Sequence, residues 1–261
     1  MKGLPIAESL AAVVLTRDEG PNIRRCLERL RWVPKVLVVD SFSKDATADI
    51  ARDFANAVVV QREFDTHANQ WSFGVEQANS EWVLALDADY ILTDELATEL
   101  RRLTDDGATH AYQADFVYCI HGRPLRGTLY TPTKILFRRE CARYVQEGHT
   151  QRLQVDGRAG RLAGMVRHDD RKPLSRWHRN QLAYAALEAD HLRGLRPEQR
   201  GLTDNLRLHL LMPVVVPFYC LLVQRGLFDG RAGIYYAMQR TLAEILVALD
   251  LLDGKLRGKC L

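Results

Sequence analysis

The feature that most constrains the fold is a regular alternation of short apolar runs with amphipathic stretches along the first part of the chain. Apolar runs at residues 11–15, 36–39, 58–60 and 83–86 are each followed by a segment with apolar residues at helical spacing. Within the runs, polar and apolar residues do not alternate, which is typical of strands that are buried on both faces. The pattern predicts an α/β fold, in which a doubly wound, mostly parallel sheet is flanked by helices.

Carboxylates collect where the predicted strands end. Glu19 follows the first strand, Asp40 and Asp45 follow the second, and Asp87 and Asp89 follow the fourth. Ligands of such sheets bind beyond the carboxyl ends of the strands, so these residues indicate a binding site. Two carboxylates spaced two residues apart can hold a hard divalent cation, which would neutralise the diphosphate of a nucleotide. The structural alternative is that the Asp-Ala-Asp triplet is only a surface turn.

The pattern changes after residue 110. Alternating polar and apolar residues at 112–121 predict a half-exposed strand, and further strands are expected near 134–137 and 162–166. A helix is expected over residues 177–192. Residues 1–205 are therefore interpreted as one domain with two halves, 1–110 and 111–205.

The remaining residues, 206–261, are predicted to form a C-terminal amphipathic helical appendage. Fourteen residues without a charge, at 210–223, are interrupted by Pro213 and Pro217. This run is shorter than the roughly 20 residues that a membrane-spanning helix needs. The amphipathic helix that follows either packs on the protein or on a second copy, or it anchors the chain at a membrane surface.

Charge is distributed unevenly along the chain. Residues 1–120 carry 12 Lys and Arg against 20 Asp and Glu, whereas residues 121–200 carry 17 against 8. The net charge of +3 thus combines an acidic first part with a basic second part. A basic region would attract a phosphorylated acceptor or an anionic bilayer surface. Nucleic acid is a poorer explanation because no recognised binding motif accompanies the charge.

The cysteines and the N-terminus indicate the compartment. The five cysteines are scattered, with no Cys-x-x-Cys pair, so neither a disulfide framework nor a zinc site is expected. Residues 1–10 lack a continuous apolar run and do not read as a signal peptide. The expected location is the cytoplasm, with peripheral attachment to the cytoplasmic face of the inner membrane as the alternative.

Three blocks together resemble the inverting family 2 glycosyltransferases of the GT-A fold. They are VVLTRDE at 13–19, VVDSFSKDAT at 38–47 and LDAD at 86–89. Within the family the chain is most similar to glucosyltransferases of lipopolysaccharide core biosynthesis. The blocks at 146–152 and 168–172 are also similar to that subgroup. The resemblance implies that residues 1–205 form a catalytic domain, with a nucleotide-sugar half over 1–110 and an acceptor half over 111–205.

The resemblance implies roles for the residues at the strand ends. Thr16 and Glu19 would line the base and ribose pocket, and Asp40 would accept a hydrogen bond from a uracil ring. Asp45 would help to shape the pocket. The structural alternatives are a turn residue for Asp40 and a helix-terminal charge for Glu19.

The Asp-Ala-Asp triplet would form the metal centre. The resemblance implies that Asp87 contacts the ribose or the sugar and takes part in metal binding. Asp89 would be the principal ligand of Mg²⁺ or Mn²⁺.

An inverting transfer also needs a general base, which takes the proton of the attacking hydroxyl group. The resemblance implies a carboxylate in the second half of the chain, and Glu147 is the first choice, with Asp169 or Asp170 as the alternative. Acceptor or phosphate contacts are expected from three basic residues: His149, Arg152 and Arg171. His149 and His168 could equally be ordinary loop histidines.

The implied reaction is the transfer of a sugar, with glucose expected, from a UDP-sugar to the inner core of lipopolysaccharide or a related phosphorylated glycolipid. A polyprenyl phosphate acceptor is a close alternative. A sugar-phosphate nucleotidyltransferase is more remote, because the segment at 16–20 holds a single glycine. A dehydrogenase is disfavoured, since no Gly-x-Gly-x-x-Gly follows any predicted strand.

Overall fold

The computed structural model describes residues 4–147 and 150–258, and of Glu147 and Thr150 it describes the backbone alone. The chain divides into two compact units. Unit 1 comprises Met1–Gly122 with Tyr130–Arg171, and unit 2 comprises Arg123–Leu129 with Lys172–Leu261. The boundary predicted at residue 205 falls inside unit 2.

The strands and helices are numbered in chain order. The strands are β1 Leu10–Thr16, β2 Lys35–Asp40, β3 Ala57–Gln61, β4 Trp82–Asp87, β5 Tyr90–Leu92, β6 Thr109–Ile120, β7 Arg123–Pro124, β8 Thr133–Arg138, β9 Ala142–Glu147, β10 Thr150–Val155 and β11 Arg158–His168. The α-helices are α1 Gly20–Glu28, α2 Thr47–Arg52, α3 His67–Ala78, α4 Asp94–Arg102, α5 Leu174–Gly194, α6 Leu202–Leu208, α7 Met212–Phe218 and α8 Arg231–Leu256. Single 3₁₀ turns lie at Ile6–Ser9, Arg139–Cys141, Pro197–Gln199 and Gly226–Asp229, and a π turn lies at Tyr219–Val223.

The main sheet of unit 1 has the strand order β3-β2-β1-β4-β8-β6-β11-β5. Strands β1 to β4 are parallel to one another. Strand β8 is antiparallel to both of its neighbours, β11 is parallel to β6, and β5 is antiparallel to β11. Strands β9 and β10 form a separate antiparallel pair.

Helices cover both faces of the parallel half of the sheet. On one face, the side chains of Leu84 and Leu86 pack with apolar residues of α1 and α4. On the other, Val13 packs with Trp71 and Val75 of α3. At Gly74 a Cβ atom would lie 2.6 Å from Cγ1 of Val13, so a glycine allows α3 to approach β1 this closely. The predicted α/β fold with flanking helices is confirmed.

Unit 2 is helical and has a core of its own. Buried residues of α5, among them Ala189 and Leu192, pack with Val247 and Leu251 of α8. The guanidinium of Arg207, on α6, pairs with the carboxylates of Glu188 on α5 and Glu244 on α8. Among the described residues, no helix combines the length and the apolar character needed to cross a bilayer.

Candidate active site

Three adjacent strand ends bring predicted site residues to one edge of the sheet. Strand β1 lies between β2 and β4, and all three are parallel. Thr16 is in register with Asp40, and Leu15 is in register with Asp87. Thr16, Asp40 and Asp87 therefore lie at the carboxyl edge, which is where sheets of this class bind ligands.

Asp40 is fully buried, and four donors surround its carboxylate. Oδ1 accepts hydrogen bonds from the hydroxyl groups of Thr16, at 3.0 Å, and Ser43. Oδ2 accepts from the backbone N–H of Ser43 at 3.0 Å and from Nε2 of Gln61 at 3.4 Å. A carboxylate has about four acceptor positions, so these four bonds use all those of Asp40. Two of the bonds come from Ser43, and Asp40 therefore orders the loop after β2. The bond from Gln61 is the longest and therefore the weakest of the four.

Asp45 joins the loop after β2 to the loop after β1. Its carboxylate accepts hydrogen bonds from the backbone N–H groups of Gly20 and Thr47, each at 3.0 Å. The hydroxyl group of Thr47 in turn accepts a bond from the N–H of Glu19 at 2.6 Å. The segment that carries Glu19 is therefore held in place by the block that carries Asp45.

Asp89 is held against the end of β11. Its backbone carbonyl accepts a hydrogen bond from the N–H of Asp169 at 3.0 Å. One oxygen of its carboxylate lies 3.3 Å from Nε2 of His168. Burial lowers the pKa of His168, but the charges of Asp89, Asp87 and Asp170 outweigh burial, and the net direction is upward. This contact orients the carboxylate of Asp89, and it is charge-assisted when the imidazole is protonated.

Tyrosine rings surround His168. The centroids of Tyr118, Tyr130 and Tyr90 lie 4.7, 4.9 and 5.2 Å from that of the imidazole, each in an edge-to-face arrangement. The hydroxyl groups of Tyr90 and Tyr130 are hydrogen-bonded to each other. Burial raises the pKa of both phenols, so both stay neutral. The cluster fixes the ring plane of His168 and with it the position of Asp89.

Asp169, a predicted alternative base, is the centre of an ion-pair cluster. Its carboxylate contacts the guanidinium groups of Arg25 at 2.7 Å and Arg171 at 2.8 Å. It also accepts a bond from the N–H of Gly122 at 2.9 Å. Burial raises the pKa of Asp169, but the bonds from Arg171 and Gly122 outweigh burial and the pKa is lowered.

Asn22, at the start of α1, connects Glu19 to Asp170. It is 1% exposed, so its amide has no access to bulk water. Nδ2 donates to Glu19 at 2.8 Å and to Asp170 at 2.9 Å. Oδ1 accepts from the guanidinium of Arg25 at 2.7 Å and from the N–H of Arg171 at 2.9 Å. All four hydrogen-bonding positions of the amide are thus used.

Replacing Asn22 with Asp tests this connection. The substitution removes both donors and places a third carboxylate between Glu19 and Asp170. We expect unfolding free energy to fall by about 3 kcal/mol at pH 8. Burial and the neighbouring carboxylates raise the pKa of the introduced group in the folded state, so the folded protein binds the extra proton. The loss of unfolding free energy relative to the wild type should therefore become smaller as the pH is lowered towards 5.

Chemical denaturation at pH 5 and pH 8 measures the effect, with Asn22→Ala as the control. The alanine variant loses all four hydrogen bonds of the amide but introduces no charge, so its loss of stability should change much less with pH. An equal deficit at both pH values for Asn22→Asp would contradict this account of the site.

Strand β9 brings the predicted base segment towards α3. The rings of Tyr144 and Trp71 are stacked with centroids 5.4 Å apart. The N–H of Ala68 donates to Oε1 of Gln146 at 3.2 Å. The backbone of Glu147 follows directly at the end of β9, whereas His149 lies outside the described residues.

The predicted basic contacts differ in their surroundings. Arg152 lies on β10 and is exposed. Arg171 instead directs its guanidinium to Asp169, and Arg138 is paired with Glu81 and Asp105. A part of the basic charge of residues 121–200 therefore serves ion pairs within unit 1, and the region offers an acceptor fewer free cations than the sequence count suggests.

Sequence reasoning missed three residues of this site. It did not consider Asn22 or Arg25, and it gave His168 no role beyond that of a loop histidine. Only the pairing of β5 with β11 brings His168 to Asp89. The local signal in the sequence is that His168 directly precedes Asp169 and Asp170, the alternative candidates for the general base.

The residues present fit a hard divalent cation when a nucleotide shares its coordination. Within residues 4–147 and 150–258, no group of three or more His, Cys, Asp or Glu side chains is arranged to hold a metal ion. Asp87 and Asp89 nevertheless offer carboxylate oxygens, of which Oδ1 of Asp89 is buried. Carboxylates suit Mg²⁺ and Mn²⁺, and diphosphate oxygens can complete such a site.

Comparison with known proteins identifies the family. The model of glycosyl transferase family 2 matches residues 11–171, which is more than half of the chain. An uncharacterised glycosyltransferase of Rickettsia felis is 33% identical over 94 residues, covering 36% of this chain and 33% of the relative. The lipopolysaccharide core biosynthesis glycosyltransferase LpsC of Rhizobium meliloti is 28% identical over 104 residues, covering 37% and 38%. The chain spans about a third of the length of the curated relatives it matches.

Solved structures show the same fold at low identity. The mannosyltransferase PcManGT from Pyrobaculum calidifontis, in complex with GDP-Man and Mn²⁺, has a TM-score of 0.53 and 19% identity, covering 96% of this chain and 88% of that one. TarS 1–349 from S. aureus, in complex with UDP-GlcNAc, has a TM-score of 0.50 and 14% identity, covering 96% and 92%. With its GT-A fold and its match to the family model, this chain belongs to glycosyl transferase family 2.

Proposed function

We propose that the protein is a metal-dependent inverting hexosyltransferase that uses a UDP-sugar, with glucose as the expected sugar. The observation that carries the proposal is the meeting of Thr16, Asp40 and Asp87 at one edge of the parallel sheet, with Asp89 two residues beyond the end of β4. The family supports a nucleotide-sugar donor, and similar structures hold GDP-Man or UDP-GlcNAc. The match to the family model across the whole candidate site favours sugar transfer over the nucleotidyltransferase alternative.

The donor would bind with its base against the ends of β1 and β2. Asp40 would accept a hydrogen bond from the N–H of a uracil ring, in place of the weak bond from Gln61. Thr16 and Glu19 would line the pocket, and Asp45 would hold its loops together. Asp87 would contact the ribose or the sugar.

A divalent cation held by Asp89 and Asp87 would offset the charge that develops on the departing diphosphate. His168 and its tyrosine cluster would keep the carboxylate of Asp89 in position. The acceptor hydroxyl would attack the anomeric carbon, its oxygen forming the new bond as the bond to UDP breaks on the opposite face. The hydroxyl proton would pass to a base in the second half of the site.

Glu147 is our proposed base, with Asp170 as the alternative. Asp169 is less suited, because its carboxylate is already engaged by two arginines and a backbone N–H. A lowered pKa also weakens it as a proton acceptor. We assign Asp169 a positioning role, in which it holds the segment that carries His168 and Asp170.

The proposed acceptor is the inner core of lipopolysaccharide or a related phosphorylated glycolipid, met at the cytoplasmic face of the inner membrane. Similarity to LpsC supports this choice over part of the chain. His149 and Arg152 are the proposed phosphate contacts. A polyprenyl phosphate acceptor remains the alternative, since it would present a similar charge.

Calorimetric titration tests the donor half of the proposal. UDP and GDP are each titrated into the protein with and without Mn²⁺. We expect UDP to bind more tightly than GDP, and Mn²⁺ to strengthen the binding of UDP. Equal binding of the two nucleotides would argue against the role of Asp40, and a lack of effect of Mn²⁺ would argue against metal dependence.

A further inference from the structure

Unit 2 exposes an apolar face around α7. Six of its residues define this apolar face: Val214, Phe218, Leu222, Val223, Leu227 and Phe228. Each is more than half exposed, and Phe228 reaches 71%. Val214, Phe218 and Leu222 recur every four residues and so lie along one side of the helix and its π turn. Soluble monomers seldom expose large side chains in such a contiguous group.

Positive charge borders the apolar face. No charged residue occurs between positions 210 and 223, whereas Arg225 and Arg231 follow directly and both are exposed. Arg126, also exposed, lies with its guanidinium 5.7 Å from the ring centroid of Phe228. The one acidic residue between 210 and 231 is Asp229, which accepts a bond from the N–H of Arg126 and pairs with its guanidinium.

We propose that the apolar face lies in the interface of an anionic bilayer, with Arg225 and Arg231 directed to lipid phosphates. An interfacial segment is expected to combine a broad apolar side, aromatic rings and flanking cations, and all three are present. The charge-free run is too short to span the hydrocarbon core, so the segment lies along the surface. The inference deepens the proposed function, because a glycolipid acceptor would be met at that surface.

A second copy of the chain is the competing occupant, and α8 is the better candidate for it. Exposed residues of α8 recur at spacings of seven, four, three and four, a heptad-like pattern that is typical of helix pairing. They are Met238, Ile245, Leu249, Leu252 and Leu256. This helix therefore supplies control variants of similar exposure and apolar character.

Flotation of the full chain with vesicles tests the proposal. We expect binding to vesicles of phosphatidylcholine with phosphatidylglycerol, and at least about 10-fold weaker partitioning of the variant Phe218→Ser/Leu222→Ser/Phe228→Ser, given the transfer free energy of three large apolar side chains. Arg225→Glu/Arg231→Glu should abolish the preference for phosphatidylglycerol over pure phosphatidylcholine. The control Met238→Ser/Leu249→Ser should bind as the wild type does.

Thermal unfolding and UDP binding verify that each variant is folded, and the charge-reversal pair gives an independent result if the triple variant is unstable. Absence of wild-type binding, unchanged binding of the triple variant, or a loss confined to the α8 control would each overturn the proposal. A dimer by light scattering that the triple substitution dissociates, without vesicle binding, would assign the apolar face to a second copy. Vesicle binding does not depend on transfer, so these outcomes are distinct from failure of the UDP titration.

Discussion

Replacing Asp89 with Asn is expected to lower kcat/KM for sugar transfer on the order of 10³-fold. The substitution keeps the size of the side chain and removes the charge that would hold the cation. It also removes the anionic partner of His168, which lies 3.3 Å from the carboxylate. We expect Mn²⁺ to lose its effect on UDP binding, because the diphosphate would then meet the site without its counter-charge. Initial rates of UDP release and calorimetric titration measure the two effects.

Asp115→Asn provides a matched control. Asp115 lies on β6 and pairs with Arg161 at a solvent-exposed site, where such a bridge is worth at most about 1 kcal/mol. The Asp115→Asn variant should therefore transfer sugar and bind UDP as the wild type does. If Asp89→Asn retained the Mn²⁺-dependent gain in UDP affinity, the assignment of Asp89 as the principal metal ligand would be wrong.

Replacing Glu147 with Gln is expected to lower kcat by about 10³-fold while UDP binding in the presence of Mn²⁺ is retained. A glutamine keeps the hydrogen-bonding shape of the side chain but cannot take the proton of the acceptor hydroxyl. The acidic limb of the pH profile of kcat should disappear with the carboxylate. Rates measured across pH with a saturating donor test both statements.

Parallel substitutions distinguish the three carboxylates. Asp169→Asn should act mainly on stability, at a cost of about 2 kcal/mol, because it leaves two partly exposed arginines without their counter-charge. Asp170→Asn keeps the contact to Asn22 and should have a smaller effect on rate than Glu147→Gln. If Asp170→Asn instead removed the acidic limb and Glu147→Gln did not, Asp170 would be the base.

The strands of the parallel half were predictable because each is a continuous apolar run that ends in a polar loop. The predicted run at 83–86 is β4, Trp82–Asp87, and the predicted run at 36–39 is β2, Lys35–Asp40. The short β5 and the pair β9 and β10 escaped prediction. The sequence of β5 is only three residues long, and that of β9, ARYVQE, mixes charged with apolar residues. Strand β5 pairs with β11, which is distant in sequence, and the β9–β10 pair packs on α3 through the stacked rings of Tyr144 and Trp71.

The same distinction holds within the candidate site. Thr16, Asp40, Asp45, Asp87 and Asp89 could be named in advance, because each lies at the end of a predicted strand or in the loop that follows it, and the carboxyl ends of parallel strands share an edge. The contacts of His168 with Asp89, of Asp169 with Arg25 and of Asp170 with Asn22 could not be predicted in this way.

Sequence alone thus determined the α/β class, the family resemblance and the carboxylates that we propose for the donor side, since all of these follow from local patterns. Tertiary structure decided what each neighbouring residue does. It placed His168 in contact with Asp89 and paired Asp169 with two arginines. It also placed the buried amide of Asn22 between Glu19 and Asp170, to both of which it donates hydrogen bonds. These contacts join residues up to 148 positions apart. No local pattern encodes them, because they form only when β11 pairs beside β6 and β5 and brings its final residues to α1.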